Sequence, residues 1–175
     1  MKLLDSLTHY DHRMLLWCMD LRFHKPLILL ARAVSKTGDG YLQLILPLSI
    51  YLLNPEHGES FLLLALLAFS IERPLYWVLK NSFKRNRPPD IIPCFKSIVE
   101  ASDKFSFPSG HTAAAVLLAT LCCLYFGVIA LPLFIWAICV GISRVLLGVH
   151  FPTDILAGSA LGMLIGINCF HYLFG

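Results

Sequence analysis

Residues 108–126 read PSGHTAAAVLLATLCCLYF. The stretch opens on proline, serine and glycine, which suits the start of a helix. It continues as an apolar run without a charged side chain, close to the length that crosses a hydrocarbon layer of ~30 Å. Moving outward, the same junction of polar cluster and apolar run recurs on both sides. Lys80 to Arg87-Pro88 closes the run before it, and Ser143-Arg144 to His150, with Asp154 beyond, joins the two runs after it. Apolar segments over 26–35, 41–53, 61–83, 109–126, 131–148 and 152–173 predict an all-α fold, a polytopic membrane helical bundle with six transmembrane helices.

Composition agrees. Of 175 residues, 57% are hydrophobic and 14% charged, whereas soluble domains carry about a quarter charged residues. The length suits a single membrane-embedded domain over 1–175. A net charge of +3 without a basic tail gives no ground for a nucleic-acid partner. Five of the six cysteines lie in apolar runs and only Cys94 in a polar loop, so neither a disulfide framework nor a structural metal site is expected. Asp5, Asp11 and Asp20 make the first residues a poor secretory signal, and they are expected to remain in the mature protein.

Residues 2–22 set Leu3, Leu7, Tyr10, Met14, Trp17 or Cys18, and Leu21 at helical spacing among Asp5, Thr8, His9, His12 and Arg13. This predicts an N-terminal amphipathic helix over 1–22, lying on the membrane surface or packed on the bundle, with His9 and His12 solvated. Residues 35–40 and 54–60 read as turns between spans. Glu72 and Arg73, in the middle of a span, read as an internal ion pair with a structural duty. The small residues Gly158, Gly162 and Gly166 predict a close helix contact.

Spans that alternate in direction bring the three clusters, within 80–154, to one face of the membrane. There the chemistry is that of a phosphate site. Lys80, Arg87 and Arg144 supply positive charge. The free amides of Ser109, Gly110 and His111 at a helix start offer donors to an anion, and Gly110 admits close approach to the backbone. His150 and Asp154, four apart, share a helix face, so the carboxylate can fix the imidazole tautomer and leave one nitrogen for attack. His111 is then available as the general acid. Two other readings stand beside this one: a metal-dependent hydrolase with His111, His150 and Asp154 as ligands, and a lipid-phosphate transporter without turnover.

Together the three clusters resemble the signature of the type-2 phosphatidic acid phosphatase family: Lys, six residues, Arg-Pro at Lys80, Arg87 and Pro88; Pro-Ser-Gly-His at 108–111; Ser-Arg, five residues, His, three residues, Asp at Ser143, Arg144, His150 and Asp154. The resemblance implies hydrolysis of a lipid phosphate or diphosphate without metal or other cofactor. His150 would form a phosphohistidine and His111 would protonate the leaving oxygen and then activate water. Asp154 would orient His150, and Lys80, Arg87, Arg144, Ser109 and Gly110 would bind phosphate. The Ser143 hydroxyl is expected to bond its own helix. The compact chain is similar to small bacterial members, which implies undecaprenyl diphosphate or phosphatidylglycerol phosphate as the membrane substrate. It also implies a place in the bacterial inner membrane with the site on the periplasmic or outer face. An even number of spans would put both termini opposite the site.

Overall fold

The computed structural model describes residues 10–18, 24–101 and 103–175. Among them the chain is helical, with no strand: α1 over 10–18, α2 Lys25–Thr37, α3 Tyr41–Leu53, α4 Pro55–Phe83, the single turn α5 Pro88–Ile91, α6 Gly110–Phe126, α7 Pro132–Leu146 and α8 Pro152–Phe174. Prolines set several starts: Pro26, Pro55, Pro132 and Pro152 lie in the first turn of their helices, where a missing N–H costs no hydrogen bond. Three described stretches are long and apolar enough to cross a membrane: α4 running on into α5, α6 with the turn after it, and α8. The helices α3 and α7 are apolar but shorter. Leu63, Leu66, Ile135, Ile138, Leu156 and Leu164 face outward, a surface suited to lipid rather than to water.

Helix α6 is the axis. Residues 112–122 are all buried, as fits a helix apolar all round. Helix α8 lies along it through the predicted small-residue stripe. A Cβ at Gly158 would fall 2.5 Å from the Ser109 carbonyl oxygen, and one at Gly162 would fall 2.9 Å from the Leu117 amide nitrogen. Phe61, Leu64 and Ala68 of α4 complete this core with Leu117, Leu121 and Ile165. A second core at the other end joins Leu15 of α1, Ala31 of α2, Phe95, and Leu147 and Phe151 of the α7–α8 connection.

Of the apolar stripe predicted for α1, Cys18 is the described member that faces inward. Asp11, Leu15 and Cys18 are buried, while Tyr10, Met14 and Trp17 are exposed. The reason is polar: Asp11 accepts from Arg85 at 2.5 Å and from the Thr153 amide at 3.1 Å. His12 is not solvated but half-buried, stacked on Phe151 at 5.8 Å between ring centroids. The rest of the predicted helix, His9 included, falls outside the described residues.

Helices α2 and α3 do not reverse direction at residues 35–40. Helix α2 runs antiparallel to α7: Leu27 and Ala31 pack near Val145–Leu147, whereas the Thr37 hydroxyl accepts from Trp136 Nε1 at 2.8 Å. Helix α3 runs antiparallel to α4. Its last turn, at Ile50 and Tyr51, meets Gly58, and Tyr125 at the end of α6 donates to the His57 carbonyl beside it. Both helices therefore descend from the end of α4 that carries Lys80 toward the opposite end. Gly38 of the Gly38-Asp39-Gly40 break is packed inside the bundle, where a Cβ would meet Val140 at 2.9 Å and His111 at 3.5 Å. The glycines mark a break, but they do not specify a reversal of the chain.

Candidate active site

The end of α4, the start of α6, the end of α7 and the start of α8 meet at one end of the bundle, and the α2–α3 break joins them. His150 lies two residues ahead of α8, so it shares no helix face with Asp154. The pair is built on the helix cap instead. Asp154 reaches back to accept the Phe151 amide at 2.8 Å, and its other oxygen accepts from Arg85 at 2.8 Å. His150 Nδ1 stands 3.6 Å from Asp154 Oδ2, within ion-pair reach but longer than a hydrogen bond. Both side chains are buried. Burial lowers the His150 imidazole, Asp154 opposes that, and Arg87 and Arg144 push it further, to about 4. The ring is therefore neutral near pH 7, as a nucleophile requires.

The cations of the site are held in place by other groups. Arg87 donates to the Val149 carbonyl at 2.5 Å, beside His150, and pairs with Asp103. Lys80 reaches Asp103 at 2.7 Å and the Tyr76 hydroxyl at 2.5 Å. Tyr76 in turn donates to Asp103 at 2.7 Å. Burial works to raise the Asp103 carboxyl, but hydrogen bonds from Lys80 and Tyr76 and the charges of Lys80 and Arg87 bring it down to about 2. Arg144 donates to Ser35 Oγ at 2.7 Å, and its Nε is buried without a hydrogen-bond partner.

The start of α6 differs in part from the sequence reading. The Ser109 amide is not free for an anion, because it donates to the Asp154 carbonyl at 3.0 Å, and the Ser109 hydroxyl lies 3.0 Å from that of Thr112. A Cβ at Gly110 would meet the Tyr76 ring at 2.9 Å, so the missing side chain makes room for Tyr76. The Gly110 and His111 amides belong to the helix's first turn, where no intrahelical acceptor exists. His111 Nε2 stands 2.8 Å from Asp39 Oδ1. Ser143 donates to Val140 of its own helix at 2.6 Å, as expected. Glu72 is fully buried and pairs with its neighbour Arg73, whose side chain is half-exposed, so the expected ion pair is internal on the glutamate side alone.

A cavity of about 1130 Å³ opens on Tyr76, Gly110, His111 and Arg144, whereas Lys80, Arg87, His150 and Asp154 are not part of its lining. Leu29, Ala33, Leu44 and Phe69 line one flank, and Asp39, Asp103, His111 and Arg144 line another. Among the described residues, no group of three or more His, Cys, Asp or Glu side chains is set to hold a metal ion. His111 faces Asp39 whereas His150 faces Asp154. Sequence reading did not assign Tyr76, Arg85, Asp39, Ser35 or Asp103 to the site. Each acts across elements, and none forms part of a local pattern.

The family model described as PAP2 superfamily matches residues 60–175. Phosphatidylglycerophosphatase B of Bacillus subtilis is 42% identical over 115 residues, covering 59% of this chain and 53%, about half, of that relative's length. Decaprenylphosphoryl-5-phosphoribose phosphatase of Mycobacterium tuberculosis is 33% identical over 143 residues, covering 78% of this chain and 75% of that protein. The crystal structure of the transmembrane PAP2-type phosphatidylglycerolphosphate phosphatase from Bacillus subtilis matches with a TM-score of 0.78 at 26% identity, over 95% of this chain and 86% of the other.

Proposed function

Because the chain belongs to the PAP2 superfamily, we propose that it hydrolyses a phosphate monoester or diphosphate on a membrane lipid through a phosphohistidine on His150. One observation carries this reading. Arg144, buried with its Nε unpartnered, lines the cavity together with His111, and it is near enough to the buried His150 for its charge to act on that imidazole. A buried cationic donor left open calls for an anion.

In this reading His150 attacks phosphorus in line while His111 gives its proton to the leaving oxygen. The phosphohistidine then loses its phosphoryl group to a water that His111 deprotonates. Asp154 holds His150, and Lys80, Arg87 and Arg144 neutralise the phosphoryl oxygens as charge develops on them. Gly110 contributes its amide, and Ser109 braces the α6 start against α8.

The mixed lining of the cavity supports a lipid substrate, with Leu29 and Leu44 for the tail and His111 and Arg144 for the head. Arg32, Lys36 and Arg73 also line it. Arg73 is held by Glu72 and Glu100 lines the same cavity, so Arg32 and Lys36 are the cations that support a head group with a second phosphate, as phosphatidylglycerol phosphate, a prenyl-linked phosphosugar phosphate and undecaprenyl diphosphate all carry. The reading keeps the bacterial inner membrane as the setting and its outer face as the side of the site. It gives the described bundle five passes, with α2 and α3 as one broken pass beside α4, α6, α7 and α8, in place of six.

The test is phosphate release by the purified protein in detergent, with a chelator present, from phosphatidylglycerol phosphate, undecaprenyl diphosphate and phosphatidic acid. The wild type releases phosphate, and His150→Ala and His111→Ala each lose about 10³-fold or more. An alkaline denaturing quench traps a phosphoenzyme that is stable in base and lost in acid, and that His150→Ala lacks. Loss of activity in the chelator with recovery on adding a divalent cation would establish the metal-dependent alternative.

A further inference from the structure

The break between α2 and α3 is packed into the site, and none of the three motifs accounts for it. His111 Nε2 stands 2.8 Å from Asp39 Oδ1 on the break. Arg144, one helix away, donates to Ser35 Oγ at 2.7 Å. The break is closed by its own hydrogen bonds, from the Gly38 amide to the Ser35 carbonyl at 3.0 Å and from the Asp39 amide to the Lys36 carbonyl at 3.2 Å. Gly38 fits against Val140 and the His111 ring with no room for a side chain. Two groups assigned to phosphate chemistry, one acid and one cation, are thus anchored by the same six residues of a different pass. A turn that merely joined two helices would have no need of a carboxylate aimed at an imidazole beside the cavity.

We propose that Asp39 is a positioning residue for His111, fixing the ring so that it delivers and recovers the reaction's proton through Nδ1. This rests on the phosphohistidine reading above and adds a residue to it. An imidazole that donates Nε2–H to a carboxylate has its orientation and tautomer set by that bond. When His111 is the imidazolium, Nε2–H stays on Asp39 and the Nδ1 proton passes to the oxygen that leaves phosphorus. In the second step Nδ1, now unprotonated, takes a proton from water as the hydroxide oxygen bonds phosphorus and the bond from phosphorus to His150 breaks. The proton lost in the first step is regained in the second. Asp39 touches no reacting atom and acts only through His111.

Leaving-group dependence separates this role from a structural one. An alcohol released from a lipid phosphate needs a proton, whereas p-nitrophenolate leaves without one. The experiment measures the first step, as burst or single-turnover release of the alcohol or phenol, for a lipid phosphate and for p-nitrophenyl phosphate. It uses the full chain in detergent. Asp39→Asn is isosteric and the Asp39 side chain is 42% exposed, so folding is retained, and an unchanged thermal midpoint verifies it. The expected result for Asp39→Asn is at least about tenfold slower alcohol release from the lipid, with KM within about twofold and an aryl burst close to wild type. His111→Ala shows the same discrimination more strongly, and Asp39→Asn/His111→Ala is no worse than His111→Ala alone. Equal slowing of both substrates by Asp39→Asn, or additive effects in the double variant, overturns the positioning role while leaving the acid role of His111 intact. Equal slowing of both substrates by His111→Ala itself overturns the acid role, and the assignment of Asp39 falls with it.

Discussion

At the scale of single residues, two cations of the site, Lys80 and Arg87, are already compensated by one carboxylate. Asp103 sits among Lys80, Arg87 and Tyr76, where a phosphate oxygen would find the same partners. Its carboxylate therefore competes with the anionic ligand. Asp103→Asn is expected to tighten inhibition by inorganic phosphate about fivefold, the equivalent of roughly 1 kcal/mol. The figure is modest because the side chain is 34% exposed and the pair is screened. Weaker inhibition would show that Asp103 organises the cations instead of competing for them. The sign of its pH dependence follows from the lowered pKa. Its contribution to stability is present above the ordinary value of 3.8 and is lost as pH falls toward about 2, so the variant lacks that acid limb. The motif residues could be read from sequence because each motif is a short local pattern. Asp39 could not, since 72 residues separate it from His111, and neither could Arg85, whose contacts with Asp11 and Asp154 span three elements.

At the scale of elements, the helices themselves were legible in the apolar runs and in the prolines that open them. The direction of α2 against α3 was not, because a Gly-Asp-Gly turn looks alike whether the chain doubles back or carries on. The inward face of α1 was also largely hidden, since one buried aspartate with partners on α8 and the loop after α4 outweighs an apolar stripe that lipid can satisfy. The α6–α8 contact shows the opposite case, in which a stripe of small residues did specify the packing. Gly162→Leu is expected to destabilise the bundle by about 1–3 kcal/mol, because even its Cβ would press on the Leu117 amide. Thermal unfolding in detergent measures this. Ala160→Leu, on the exposed side of the same helix, leaves the midpoint unchanged. Activity falls with stability in Gly162→Leu, since Asp154 lies in the first turn of α8 and any shift of the helix moves the carboxylate.

At the scale of the whole molecule, the unbroken sense of α2 and α3 changes which ends share a side. The loop carrying Cys94 belongs to the site end, while α8 runs from Pro152 at that end to Phe174 at the other. Cys94 is exposed, and a membrane-impermeant maleimide should label it in intact cells or only after permeabilisation. A cysteine introduced by His24→Cys, at the exposed position ahead of α2, should then show the same accessibility as Cys94, and an epitope fused after Gly175 the opposite one. Opposite accessibility for Cys94 and the His24 position would restore an even number of passes. The apolar flank of the cavity, at Leu29 and Leu44, faces the lipid side of the bundle. A substrate entering there never leaves the bilayer, so the encounter is a two-dimensional search. Turnover should follow the mole fraction of substrate in the lipid or detergent film, and should fall when inert amphiphile is added at constant bulk concentration.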